Sequence, residues 1–432
     1  MLHEIMIACV FAKILLFEWL LYCVHGDRAR YAQGLLSACK HQNIVFVKIF
    51  QSLYNESSIS PEFNDAMKQY TTNATYTNDD IDYESLKQIK LDYDIEMSED
   101  RVLNSGMIAV VFKGRLRSSG QAVIIKLRRN GIEEKLRKGC SEIIHLYSIA
   151  RYLYPNNKII QLLKPFAMNI SDIIEQCDFS REINNMVLAK QQVARLEYIK
   201  IPDCYNTPPD RINTSFIVME HLEGEMLGAA AIPDAQTYFE YIIEYDIYTF
   251  VNGLLYHSDQ HTGNLIFMRR DGAPVLGIID FGLVIHPTPQ TSHLAVNILS
   301  VIMSFIDMDE EGRRLYCEQI CLIEEFKYLF EPFLDTSTLS DGDIHALNDA
   351  IFAFLEKIAT ETNISQRMFV TFINTVCALI HRELVLNRDM YNLIMGMTMS
   401  RGVGGLLLKD KFNPTERKRI IHKLIRKIVK NR

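Results

Sequence analysis

Three oxygen-bearing side chains are the starting point. His257-Ser-Asp259-Gln-His-Thr-Gly-Asn264 reads as a loop that carries an aspartate and, five residues later, an asparagine. Ile279-Asp280-Phe-Gly282 reads as a strand end running into a turn. Phosphoryl transfer needs a carboxylate near the incoming hydroxyl and oxygen ligands that hold magnesium against the phosphates. Asp259 and Asn264 supply one of each from a single loop, and Asp280 adds a second carboxylate. An isolated Asp-Phe-Gly is most simply a turn with a capping aspartate; the paired spacing is what argues for chemistry.

The order Asp, Asn at plus five, then Asp before Phe-Gly is the layout of protein kinases and of small-molecule phosphotransferases. Upstream, Lys126 ends an apolar run, Val123-Ile-Ile-Lys126, in the position of the lysine that binds nucleotide phosphates and is held by a glutamate on a helix. The preceding loop, Asn104-Ser-Gly-Met-Ile-Ala109, then lies over the phosphates, with Ser105, Gly106 and Ala109 as nucleotide contacts. It has one glycine, so a GxGxxG reading fails.

These residues need a scaffold. Ile108-Ala-Val-Val-Phe112 and Ala122-Val-Ile-Ile-Lys126, parted by Ser118-Ser-Gly120, predict a strand, a hairpin turn and a strand. Residues 1 to about 70 read as helical and end in the polar tract Thr71 to Asp80; helical periodicity returns over 131–200. Pro202, Pro208 and Pro209 mark a loop before a strand over Thr214–Glu220. Asp234–Leu255 is helical, two short strands flank the turn Asp271-Gly272, and everything from about 291 onward reads as helices.

At this point the residues resemble the UbiB/AarF family of atypical kinases, also called ABC1-like kinases. The stretch up to Val111-Phe-Lys-Gly114 resembles the family's alanine-rich loop, with Asn104, Ser105 and Gly106 where alanines are usual. Asp178-Phe-Ser-Arg-Glu182-Ile-Asn-Asn185 resembles the helix that carries the lysine's partner, which implies that Glu182 pairs with Lys126. Val218-Met-Glu220 resembles the hinge that meets adenine. His257 to Asn264 resembles the catalytic loop, with Thr262 where proline is usual. Phe46-Val-Lys48-Ile-Phe-Gln51 resembles the KxGQ signature, with Ser60-Pro-Glu-Phe63 following; Lys48 and Gln51 match, and Phe50 replaces the glycine. In the family this extension packs over the active site.

The resemblance implies an α+β, two-lobed protein-kinase-like fold with an N-terminal helical extension and an enlarged helical C-lobe. The expected parts are 1–100 as the extension, 101–222 as the N-lobe with a helical insertion, 223–416 as the C-lobe and 417–432 as a basic amphipathic tail. Expected function is magnesium-dependent ATP hydrolysis or phosphoryl transfer, with ATP and Mg2+ as cofactors and a role in isoprenoid-lipid or ubiquinone-type metabolism. Asp259 is expected to act as base or orienter, Asn264 and Asp280 to hold the metal, and Lys126 with Glu182 to anchor phosphates. Two alternatives stay open: a small-molecule kinase of the aminoglycoside or choline type, and a silent nucleotide- or lipid-binding scaffold.

Composition bounds these readings. The 432 residues are 48% hydrophobic and 23% charged with a net charge of -7, which excludes a general nucleic-acid binder. The nine cysteines are scattered without zinc-like spacing, as expected of a reducing, intracellular compartment. Cys317 and Cys321 lie one helical turn apart and read as packing. Three glycosylation-like triplets, at Asn55, Asn73 and Asn363, carry little weight without a secretory signal. Ile5–Val24 is nearly wholly apolar but holds Lys13 and Glu18, so it is a buried helix or a handicapped membrane span. From Arg417 the chain is rich in Lys and Arg, with Ile420, Leu424, Ile425 and Ile428 at helical spacing. That tail lies on an anionic membrane or packs on the C-lobe; taken with the apolar N-terminus, membrane association is expected.

Overall fold

A computed structural model of the chain describes residues 2–53, 59–68, 76–97, 101–154, 170–206, 215–227, 232–318, 322–331, 336–360, 366–380, 385–408, 419–420 and 422–427, with 157, 160, 163 and 167 singly. The three glycosylation-like triplets, Pro208, Pro209 and most of the polar tract before Tyr76 lie outside the described residues, as does Cys321. The chain divides into two compact units. The first comprises Met1–Val187, Ile201–Glu223 and Ile279–Gly282; the second comprises Leu188–Lys200, Gly224–Ile278 and Leu283–Arg432.

The expected strand, turn and strand form the centre of an antiparallel sheet in the first unit. β3 (Ala109–Leu116) pairs with β1 (Ile95–Glu96), β2 (Val102–Ser105) and β4 (Ala122–Arg128); β4 also pairs with β6 (Phe216–Glu220). Side chains alternate across a strand. Val123, Ile125 and Leu127 therefore share one face of β4 and join Val110, Phe112, Phe216 and Val218 in a buried core. Lys126 falls on the opposite face. Leu86 and Ile89 of α5 (Tyr83–Asp92) close the core from outside the sheet.

The residues before the sheet are helical, as the sequence predicts: α1 (Leu2–His25), α2 (Arg28–Gln42), α3 (Phe46–Leu53) and α4 (Pro61–Lys68) precede α5. A long helix, α6 (Ile132–Leu153), follows β4, then α7 (Ser171–Glu175) and α8 (Phe179–Gln192). Asn43 fastens the turn before α3 to α6: its amide nitrogen donates to the Gly139 carbonyl at 2.9 Å and to Glu142 at 3.0 Å. A Cβ on Gly139 would come within 2.6 Å of the Asn43 oxygen, so only glycine allows this approach.

Helix α1 is not the buried helix expected. It packs against α2 and α6, Phe11 is buried, and Glu18 is turned toward Gly34 of α2. Leu15, Leu16, Phe17, Trp19 and Leu20 are 49–60% exposed. The helix is apolar nearly all round, so one packed stripe leaves other apolar positions outside. Among the described residues no helix is long and apolar enough to cross a membrane.

In the second unit, β5 (Ile199–Lys200), β9 (Ala273–Ile278) and β8 (Leu265–Arg270) form a three-stranded sheet, and β7 (Tyr256–His257) pairs with β10 (Val284–Ile285). Helix α9 (Ala235–Val251) precedes β7. Helices α10 (Pro289–Asp307), α11 (Glu310–Glu318), α12 (Leu322–Phe326), α13 (Asp341–Thr360), α14 (Gln366–Ile380) and α15 (Arg388–Leu408) follow. Their apolar faces meet in a core that includes Phe305, Phe326, Leu347, Ile351, Leu355 and Val376. One short pair departs from the all-helical expectation: β11 (Phe330–Glu331) with β12 (Val385–Leu386), too short for any periodic signal. Of the basic tail, 419–420 and 422–427 are described, as helix. There Leu424 and Ile425 are buried and Lys427 meets Glu244 of α9 at 2.8 Å, so this part of the tail packs on the protein.

Candidate functional site

The first unit builds a buried cation between two carboxylates. Strand alternation aims Lys126 off the core face, and its ammonium meets Glu182 Oε1 at 2.7 Å, Oε2 at 2.9 Å and Asp280 Oδ2 at 2.9 Å. It also lies 5.3 Å from the centre of the Phe179 ring. Burial works against the ammonium, but the carboxylates of Asp280 and Glu182 outweigh it and hold Lys126 above the usual lysine range. Glu182 is pushed upward by its own burial while Lys126 pulls it down. A carboxylate this buried depends on its cation.

Asp280 has φ 63°, a left-handed conformation that is uncommon for a residue with a side chain. Three contacts hold it. Its Oδ1 accepts from the Gly282 amide at 3.3 Å, the Asn185 amide donates to the Phe281 carbonyl at 3.0 Å, and the Phe281 ring is fully buried. A Cβ on Gly282 would stand 3.2 Å from Asp280 Oδ1 and 3.4 Å from Glu182 Oε2. Asn185 lies three residues after Glu182, on the same helix face. No local sequence signal marks Asn185 for this contact.

The loop between β2 and β3 closes on itself, with the Gly106 amide donating to the Ala109 carbonyl at 2.9 Å. Ser105 is buried, and its hydroxyl accepts from Arg129 at 2.6 Å. Arg129 also meets Asp80 at 3.3 Å, and its backbone amide donates to the Ile108 carbonyl at 2.9 Å. The loop is therefore braced by a buried guanidinium in place of multiple glycines. Glu220 ends β6; its amide donates to the Asp203 carbonyl at 2.7 Å and its carboxylate accepts from the Asp203 amide at 3.1 Å. Lys48 and Gln51 are half-buried on α3. Phe50 is buried and packs against Phe46, which packs against Phe11.

The second unit holds Asp259 and Asn264. Strand β7 delivers the loop, and Ser258 continues its pairing by donating to the Leu283 carbonyl at 3.2 Å. Asp259 and Asn264 are both buried. The Asn264 amide nitrogen donates to the Asp259 carbonyl at 2.9 Å, which leaves its oxygen as the atom suited to a cation. His257 Nδ1 accepts from the Asp259 amide at 3.2 Å and His261 Nδ1 accepts from the Gly263 amide at 3.0 Å. Both imidazoles thus serve as loop braces with their protons on Nε2. Among the described residues no group of three or more His, Cys, Asp or Glu side chains makes a preformed metal site.

Residues 95–314 match the family described as the ABC1 atypical kinase-like domain. The chain belongs to this family. Its sequence is 26% identical over 213 residues to the chloroplastic protein Activity of bc1 complex kinase 3 of Arabidopsis thaliana, covering 47% of this chain and 28% of that one. It is 25% identical over 211 residues to a protein named a putative ABC transporter from Paramecium bursaria Chlorella virus 1, covering 47% and 42%. The matched stretch thus spans less than half the length of either relative. Among solved structures the chain is similar to Rv3197 of Mycobacterium tuberculosis in its erythromycin complex, with TM-score 0.46, 16% identity and coverage of 86% and 91%. It is also similar to the Rio2 kinase of Chaetomium thermophilum with ADP, Mg2+ and phosphoaspartate, with TM-score 0.32, 12% identity and coverage of 80% and 97%. The fold is kinase-like, a mixed arrangement of helices and a curled antiparallel sheet.

Proposed function

We propose that this ABC1-family chain binds ATP with magnesium and hydrolyses it or transfers its terminal phosphoryl group. The observation that carries the reading is Lys126, buried yet clasped at 2.7 Å by Glu182 and at 2.9 Å by Asp280. An ammonium between two carboxylates can lend its charge to a phosphate without leaving them uncompensated. Ser105, Gly106 and Ala109 supply the loop over the phosphates, through backbone groups in view of the buried Ser105 hydroxyl. Glu220 supplies the hinge. Asp259 accepts or orients the proton of the incoming hydroxyl or water.

Asp280 and Asn264 would hold magnesium, and the hard oxygen donors fit that ion. The Asp280 side chain is 41% exposed, which keeps its carboxylate within reach of a cation. Bound there, magnesium would neutralise charge on the phosphates.

Residues 1–100 act in this reading as a helical extension bearing Lys48 and Gln51, before an N-lobe over 101–222 and a C-lobe over 223–416. The apolar outer face of α1 supports contact with a membrane surface, and an isoprenoid lipid or ubiquinone precursor is the substrate class the family resemblance favours. The buried Phe50 supports a second reading, a nucleotide-binding scaffold without turnover. Magnesium-dependent ATP binding and turnover, measured with and without liposomes for wild type and Asp280→Asn, separate these. Turnover in wild type that is lost in Asp280→Asn is expected; binding without turnover would favour the scaffold, and absence of nucleotide binding would overturn both.

A further inference from the structure

Within the loop after β7, Gln260 is fully buried yet has no chemical part to play. Its amide nitrogen donates to Asp246 Oδ1 of α9 at 2.5 Å and lies 3.4 Å from the His257 carbonyl. Two acceptors around one nitrogen fix the orientation of the amide. Asp246 is itself buried, on the face of α9 shared with Ile242, Ile243, Thr249 and Phe250, and among the described residues no cation meets it.

The carboxyl also has a hydrogen bond with Ser400 of α15, whose hydroxyl lies 3.0 Å from the Gly396 carbonyl. A serine hydroxyl has one proton to give. If it goes to Gly396, the bond between Ser400 and Asp246 needs a proton from Asp246. A carboxylic acid satisfies all of these contacts: Gln260 donates to it, it donates to Ser400, and Ser400 donates to Gly396. Burial pushes the Asp246 carboxyl up to about 7, against the hydrogen bonds with Ser400 and Gln260, which lower it.

One turn earlier on the same face of α15, Gly396 fits against the strand that delivers the loop. A Cβ there would stand 2.7 Å from the Tyr256 ring and 3.0 Å from the Ser258 Cα. Residues 388–408 lie beyond the family match over 95–314.

We propose that Asp246, Gln260 and Ser400 form a neutral strut through which α15 positions the loop bearing Asp259 and Asn264. They are positioning residues and touch no substrate. The assignment rests on reading that loop as catalytic, but the strut itself has a readout that does not.

The test compares full-length wild type with Asp246→Ala, Asp246→Asn and the volume-conserving Gln260→Met by hydrogen exchange and MgATP turnover. In Asp246→Ala and Gln260→Met, amides over 257–264 should exchange about ten-fold faster while those over 235–245 stay protected; kcat should fall about ten-fold with KM within about two-fold. Asp246→Asn presents the same acceptor and donor as the neutral acid and should restore both readouts to within about two-fold of wild type. Unchanged exchange over 257–264 in both breaking variants would overturn the strut. So would an equal rise over 235–245, the mark of general loosening. If wild type turns over no nucleotide, the functional reading fails while the exchange measurement still decides the strut.

Discussion

Lys126 in the first unit and Gln260 in the second are both buried polar side chains beside groups with proposed chemistry, but they are held in opposite ways. Around Lys126 the contacts are ionic: one ammonium, two carboxylates and distances of 2.7 to 2.9 Å. Around Gln260 the contacts join its amide to the Asp246 carboxyl, which in turn meets the Ser400 hydroxyl and, among the described residues, no cation. A buried ion pair fails when one charge is removed, because the other is left uncompensated. A neutral hydrogen-bonded chain tolerates any replacement that presents the same donors and acceptors. Charge thus suits a place proposed to meet phosphate, and a neutral chain suits a place proposed only to hold shape.

The largest break of this comparison is expected at Lys126→Met. It should lower MgATP turnover by roughly 10^3-fold through loss of the phosphate anchor. It should also cost about 3–5 kcal/mol in urea unfolding, because Glu182 keeps its burial without its cation.

Next in size is a pH effect at Asp246. Its carboxyl rises from 3.8 to about 7 on folding, so the native state binds this proton more tightly than the unfolded chain. Stability from this group is full below about pH 4, falls as pH rises toward about pH 7 and is level above, with a total near 2–4 kcal/mol. Asp246→Asn lacks the titration. Thermal unfolding of wild type should therefore decline relative to that variant across this window; parallel curves would show that Asp246 stays ionised.

Gly396→Ala should cost about 1–3 kcal/mol by pressing a methyl group on Tyr256 and Ser258, read by urea unfolding. The smallest effect belongs to an exposed ion pair. Lys427→Ala, which removes the contact with Glu244, should change stability by less than about 0.5 kcal/mol and lose even that in high salt.

The expectations that were legible in sequence have a common cause. The hairpin around Ser118-Ser-Gly120 is written in two runs rich in β-branched and aromatic residues parted by a turn, and the aspartates and Asn264 are written in short spacings along one loop and one turn. Glu182 is a harder case. It lies 56 residues from Lys126, and only a family pattern pointed to it. Nothing in the local sequence points to the contacts of Arg129, Asn185, Asp246 and Ser400. For Asp246 a signal existed, an acid on the apolar face of α9 at helical spacing from Ile242 and Ile243, but an acid there announces burial without naming its partner. The exposed side of α1 is not legible in sequence, because a helix apolar all round does not say which stripe will be packed.

What the sequence determined by itself is therefore the chemistry of single groups and the local geometry that periodicity and turn residues impose: which strand carries Lys126, which loop carries Asp259 and Asn264, which turn carries Asp280. What only the tertiary structure decided is the company those groups keep. It brought Asp280 and Glu182 to one ammonium, turned Ser105 inward to Arg129, and set Ser400 of α15 behind Asp246. The reason is physical: strand and helix periods act over a few residues, whereas the burial that makes a charge or a neutral acid matter is created by segments far apart in the chain.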